Sequence, residues 1–368
     1  MTKSHTIDTT LAILLGVLIL IGVVVFSSAS MGLLSRDGAN YSTVLVKQGI
    51  LELVGLGLLF LISMRVPYRL WGRYSTHLFV LSLLATVLVF VPHIGVTLKG
   101  GTRWINLGFG TIQPAEFLKL GTVLFLAAYY TKIKASSVST LLRGFLPFVG
   151  LLGVIALVML KQPDTGTFLV IVCAATGVFI AAGGRWLHLG VLGLICLGGL
   201  FVLAETRPYV KDRIETYLHP KQDMLGTSYQ LHQSLIAVGS GQLMGRGFGQ
   251  SVQKFNYLPE PIGDSIFSVL SEDFGFIGSS LLVLLLSFFA LRGLRVSDRV
   301  PDSFGRLVGV GIVILIVSQS FINIGALTGV IPLTGVPLVF VSQGGTALVM
   351  AFIEAGILLS ISKYTQRT

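Results

Sequence analysis

Charge is scarce in this chain of 368 residues: 11% are Asp, Glu, Lys or Arg against 53% hydrophobic residues, and the mean hydropathy is +0.85. A water-soluble globule has no means of hiding that much apolar surface, so soluble, disordered and collagen-like classes are excluded. Cysteine is nearly missing too. Cys173 and Cys196 both lie inside apolar runs, which excludes a disulfide framework and a CxxC metal or redox motif. There is no Walker A sequence and no GxSxG, so ATP-driven transport and serine hydrolysis have no support. His93, His188, His219 and His232 never approach HxxxH or HExxH spacing, and no protein-built zinc site is expected. Gly245, Gly247 and Gly249 are spaced GxGxG without a strand-turn-helix unit, which excludes a dinucleotide fingerprint. Two readings of them stay open: a turn whose backbone N–H groups, aided by Arg246, face an anionic phosphate, and an ordinary flexible loop.

What is present is a series of long uncharged runs. Ten stretches are expected as membrane-spanning helices, at about 11–30, 48–64, 77–93, 114–130, 144–161, 165–184, 186–204, 266–291, 307–331 and 343–362. The expected fold class is therefore all-α, a single polytopic membrane domain over residues 1–368. With the N terminus in the cytoplasm, fourteen lysines and arginines from Lys3 to Arg367 fall in inside segments. Arg36, Lys47, Lys99 and Arg103 fall outside, with Lys161 at a span edge. That asymmetry places both termini inside. The net charge of +10 is spread over short loops rather than gathered on one solvated face, so it points to anionic lipid headgroups and not to nucleic acid.

One outer connection is long. Residues 205–265 separate the seventh and eighth expected spans, and loops of that length usually carry a function. In Arg207–Pro220, Val210, Ile214, Tyr217 and Leu218 share one helical face, with Lys211, Asp212, Arg213 and Glu215 around the other. The pattern predicts a helix lying in the membrane interface. The glycines, the prolines and an acid that follow suit an active-site lid at the mouth of the bundle.

Acids inside hydrocarbon are expensive, so Glu52, Glu116, Glu272, Asp273 and Glu354 need partners or a polar cavity. Glu116 and Lys119 are three apart on one helix, suited either to a bundle-stabilising ion pair or to a cavity that accepts an anionic head group. Asp164 in KQPDTGT is either a helix N-cap or a site residue. Arg103, beside Trp104, is either a headgroup anchor or a substrate contact. Asp264 follows the Pro259–Pro261 turn and Gly263, where the long loop re-enters the membrane. Partial desolvation there would raise its pKa and make it a better base, while a helix N-cap is the competing reading.

Four stretches, Gly100–Leu120, Lys161–Thr167, Gln233–Phe267 and Asn323–Leu348, together resemble the SEDS family of shape, elongation, division and sporulation proteins, in order and over nearly the whole chain. The QSVQKFNYLPE segment is more similar to the FtsW division branch than to the RodA elongation branch. The resemblance implies a peptidoglycan glycosyltransferase of the bacterial cytoplasmic membrane, working on its extracytoplasmic face and joining lipid II into glycan strands. It implies that Asp264 is the catalytic acidic residue, taking the proton from the acceptor sugar's 4-hydroxyl. Arg103, Lys119, Arg213, Arg246 and Lys254 are the candidates to offset the leaving diphosphate, and Glu116 and Asp164 complete the candidate substrate-binding set. No cofactor is built into the protein; a divalent cation, Mg or Mn, bridging the diphosphate is an option. The implied partners are a class B penicillin-binding protein and other division or elongation proteins. Where the family commonly has Thr-Asp-Phe this chain has Gly263, Asp264 and Ser265, and in place of Tyr-Gly-Gly it has Gln343, Gly344 and Gly345. The rival readings are a lipid II flippase and a catalytically silent scaffold.

Overall fold

The computed structural model describes residues 6–35, 40–98, 101–108, 110–219 and 228–365. Lys3, Arg36, Lys99, Arg367 and the 220–227 part of the long loop lie outside the described residues. The chain is mostly helical. In order it forms α1 (Thr9–Ser30), α2 (Tyr41–Arg65), α3 (Arg69–Leu88), α4 (Pro114–Lys132), the short α5 (Ala135–Val138), α6 (Leu146–Lys161), α7 (Thr165–Ala181) and α8 (Trp186–Thr206). Then come α9 (Pro208–Leu218), α10 (Tyr229–Ser240), α11 (Ile266–Asp298), α12 (Ser303–Leu327) and α13 (Gly345–Ser362).

Each stretch expected to span holds a helix, and seven helices among the described residues are long and apolar enough to cross a membrane, α6 being counted with the π-helical turn Leu141–Phe145 that runs into it. The three that fall short have physical reasons. α7 has only 17 residues, about 25 Å of helix. α3 begins with Arg69 and Arg73, and α4 carries Glu116 and Lys119 into the interior. The core is built by α4, α7, α12 and α13, while α2 and α8 keep most of their apolar side chains on the outside. Close packing depends on glycine where backbones touch: a Cβ on Gly22 of α1 would lie 2.0 Å from the Phe340 carbonyl oxygen. Helix starts follow their caps. Asp8, Asp164 and Asp302 each accept a hydrogen bond from the backbone N–H three residues on.

Two features depart from the all-α expectation. A three-stranded antiparallel sheet, β1 (Gly95–Leu98), β2 (Gly101–Asn106) and β3 (Thr111–Ile112), links α3 to α4. Val96, Thr97, Thr102, Trp104 and Ile105 are strand formers, but the strands are too short to show in hydropathy. The β1–β2 register shifts so that Val96 pairs with Trp104 and Thr97 with Thr102, leaving Arg103 as the bulged residue. The second departure is in α11, whose 33 residues measure about 50 Å, well beyond a single bilayer core. It is broken at Gly275 (φ 66°, ψ −163°), which separates a buried segment, 266–274, from the lipid-length part. The freed backbone groups pair with the glycine loop: Phe276 N–H donates to Gln242 O (2.8 Å) and Ile277 N–H to Leu243 O (3.1 Å).

Candidate active site

Where α4, α7 and α13 begin, a cavity of about 960 Å³ opens among the N-terminal half of α2, the β2–β3 sheet, α9, α10 and the segments 260–264 and 335–337. Four carboxylates (Glu116, Asp164, Glu260, Asp264) and three cations (Lys47, Arg103, Arg213) line it, with Gln48, Gln113, Gln230 and Gln343 between them.

Asp264 is half-buried on this wall, and its position is set by backbone bonds on every side. The two prolines around Glu260 force a tight turn in which Gly263 N–H and Ser265 N–H both donate to Glu260 O (2.9 and 3.3 Å). Gln343 N–H donates to Ile262 O (2.7 Å), tying this turn to the segment before α13. The buried Asn323 amide of α12 donates to Asp264 O (2.7 Å) and to Val336 O (2.8 Å), clamping the two segments together. A Cβ added at Gly335 would meet Asp264 Oδ2 at 3.6 Å and Arg213 Nη2 at 3.8 Å, so carboxylate and guanidinium converge over a residue whose φ of 70° suits glycine. The N-cap of α11 is Ser265, not Asp264, so the capping explanation of Asp264 falls away.

Arg213 reaches the cavity because α9 turns a different side inward than its sequence suggests. Val210 and Thr216 are buried and Arg213 is half-buried, whereas Tyr217 and Leu218 are exposed. Arg213 Nη1 donates to Leu333 O (2.6 Å) and the Tyr217 hydroxyl to Val330 O (3.0 Å), which docks α9 on the chain before α13. Arg213 therefore belongs to the inner face and not to the polar one, because a polar cavity lies beneath the helix.

Arg103 acts as a clamp. Its Nε donates to Gln162 O (3.1 Å), its Nη2 donates to Pro163 O, and its Nη1 lies 3.7 Å from Asp164 Oδ1. Asp164 caps α7, accepting from Thr167 N–H (3.3 Å), accepts from Gln113 Nε2 (3.2 Å) and also lines the cavity. Glu116 and Lys119 form a buried ion pair at 2.7 Å, and Lys119 Nζ also donates to Gln319 Oε1 (2.5 Å). Gln319 Nε2 in turn donates to Pro337 O (3.0 Å) on the cavity wall.

Arg246 and Lys254 do not line this cavity. The fully buried Glu272 accepts from Val252 N–H, Ser251 Oγ and Gln253 N–H (3.1, 2.6 and 3.1 Å) and pairs with Arg246 Nε at 3.3 Å. Asp273 accepts from Ser251 N–H (2.7 Å) and the Ser28 hydroxyl of α1, with Lys254 Nζ 3.9 Å away. Burial pulls the Lys254 pKa below the ordinary lysine value, against the opposing charges of Asp273 and Glu272. The phosphate-cradle reading of the glycine turn also fails, for its amides are in use. Arg246 N–H donates to Glu272 O, Gly247 N–H to Asp273 O and Gly249 N–H to Ser28 Oγ. Among the described residues no three His, Cys, Asp or Glu side chains come together as a metal site. Sequence reasoning missed Gln113, Gln319 and Asn323 as site-builders; neutral amides on buried helix faces were the available signal.

Fold and cavity together define a multi-pass membrane protein with a charged chamber at one end of its helix bundle. The FtsW/RodA/SpoVE family model, described as a cell cycle protein, matches residues 8–367, and the chain belongs to this SEDS family. It is 40% identical to stage V sporulation protein E of Bacillus subtilis over 99% of both chains. It is 36% identical to a probable peptidoglycan glycosyltransferase FtsW of Geobacter sulfurreducens, over 93% of this chain and 91% of that one. A solved structure concerned with coordination of polymerization and crosslinking by a peptidoglycan synthase complex superposes with a TM-score of 0.80 at 26% identity, covering 98% of this chain and 99% of that one. The rod shape determining protein RodA of Thermus thermophilus superposes with a TM-score of 0.71 at 25% identity, covering 98% of each chain.

Proposed function

We propose that the chain is a peptidoglycan glycosyltransferase that polymerises lipid II at the outer face of the cytoplasmic membrane. The observation that carries this is the convergence of Asp264 and Arg213 over Gly335 on the wall of a chamber of about 960 Å³, a volume suited to a sugar head group. Asp264 takes the proton from the acceptor's 4-hydroxyl as that oxygen bonds to the donor's anomeric carbon. The bond from that carbon to the diphosphate breaks, and the polyprenyl diphosphate leaves with the electron pair. Cations on the chamber wall, Arg213 foremost, offset the growing negative charge. Arg103, Glu116, Lys119 and Asp164 hold the chamber's shape around the sugars. A divalent cation, Mg or Mn, would be held with the help of the chamber carboxylates and would supply positive charge to offset the leaving diphosphate.

In this reading all ten long helices span, both termini are cytoplasmic and the chamber faces outward, in line with the distribution of lysine and arginine. A class B penicillin-binding protein crosslinks the strands, and the strands serve cell division or cell shape. Purified chain with its transpeptidase partner, given fluorescent lipid II, makes long strands, and Asp264→Asn abolishes them at unchanged melting temperature. Normal strands from that variant would remove Asp264 as the base. Transbilayer movement of lipid II without polymer would favour the flippase instead.

A further inference from the structure

The proposed reaction leaves open where the donor's diphosphate enters. Three of the cations considered for it are held by the protein. Arg103 directs all three guanidinium nitrogens at Gln162, Pro163 and Asp164, Lys119 is buried between Glu116 and Gln319, and Lys254 lies beside Asp273 outside the chamber. Lys47 differs. It is exposed on the second turn of α2, and among the described residues its ammonium has no hydrogen bond or ion pair. It also lines two spaces at once: the polar chamber and a neighbouring open space of about 410 Å³ along one side of α2, where Ser42, Thr43, Val46, Ile50 and Leu51 face outward. Val46 and Ile50 are 62% and 55% exposed, and further exposed apolar side chains, Leu53 and Val54, continue down α2. A strongly anionic group bridging a polar head and a long apolar tail matches this junction.

We propose that Lys47 binds the diphosphate of a polyprenyl-linked sugar donor, with the first isoprene units against the exposed apolar face of α2 and the sugars in the chamber. This rests on the glycosyltransferase reading above. A phospholipid headgroup would also satisfy the ammonium, but it would leave the polar chamber unfilled; the diphosphate uses both spaces. The ammonium donates to the diphosphate oxygens without a competing protein acceptor, so its contribution to binding is not divided.

The test is equilibrium binding of undecaprenyl diphosphate to the full chain in phosphatidylcholine nanodiscs, with phosphatidylglycerol and inorganic diphosphate as competitors. Lys47→Met is expected to weaken binding about tenfold, the worth of one charge-assisted hydrogen bond. Lys47→Glu weakens it further, Lys47→Arg restores it, and all three melt like the parent because the side chain is exposed. In turnover the same variants raise KM for lipid II more than they lower kcat. Unchanged affinity in Lys47→Glu, or phosphatidylglycerol displacing the diphosphate as well as undecaprenyl diphosphate itself does, would overturn the proposal. Binding is read without turnover, so a failure of Asp264 as base would show separately, as normal strands from Asp264→Asn.

Discussion

Asn323→Asp is an isosteric probe of how Asp264 is held. The amide nitrogen of Asn323 donates to two backbone carbonyls, Asp264 O and Val336 O, at 2.7 and 2.8 Å, and the side chain is 2% exposed. An aspartic acid of the same shape creates no cavity, yet even when protonated it donates to only one of the two. At least one of the two carbonyls loses the Asn323 donor, at a cost of about 1–3 kcal/mol. At about 1.4 kcal/mol per factor of ten, and if the whole cost falls on the positioning of Asp264 in the transition state, kcat drops about 5- to 150-fold. Steady-state polymerisation of lipid II gives the assay. The drop is expected in kcat with KM within about twofold, because the clamp holds Asp264, the proposed base, and not the diphosphate. A variant with parental kcat would refute the idea that this clamp places the catalytic carboxylate.

Other outcomes follow from the same geometry. A Cβ on Gly166 would lie 2.7 Å from Thr334 O, so Gly166→Ala pushes the 334–336 segment off the start of α7. The expected result is a stability loss of about 1–3 kcal/mol in thermal melts and at least tenfold slower polymerisation. At the end of the bundle away from the chamber, Asp8 accepts from Arg292 Nε and Nη2 at 3.0 and 2.5 Å. Burial works to raise its pKa, but hydrogen bonds from Arg292 and Leu11 N–H and the charges of Arg292 and Arg299 outweigh it and hold the value below ordinary aspartate. Its stabilisation is therefore complete above about pH 4 and is lost as pH falls through the lower folded value. The melting-temperature gap between the parent and Asp8→Asn should stay constant from pH 7 to 5 and close below about pH 4.

The helices were legible because apolar runs near twenty residues leave few alternatives to a span, and Asp164 offered a cap for α7; the caps at Asp8 and Asp302 emerged only in the structure. Asp264 stood out through its place after a proline-bounded turn. Hydropathy could not show the sheet, since four- and six-residue strands carry too little signal. Arg213 was named as a diphosphate candidate yet grouped with the polar face of α9 on the assumption that polar means outward, which fails wherever a charged chamber lies inside. Arg246 and Lys254 had the right charge for a diphosphate, but the buried Glu272 and Asp273, far ahead in sequence, engage them first. Only three-dimensional proximity reveals that competition. Gln319 and Asn323, one helical turn apart on a buried face of α12, were the missed signal: neutral amides in an apolar helix need partners, and theirs are the cavity walls.

The most direct measurement is an experimental structure of the Asp264→Asn variant trapped with lipid II and a short glycan acceptor. The account predicts the acceptor 4-hydroxyl within about 2.6–3.2 Å of the residue 264 side chain, over Gly335 and beside Arg213. Sugars seated elsewhere, with that side chain turned away from them, would contradict it.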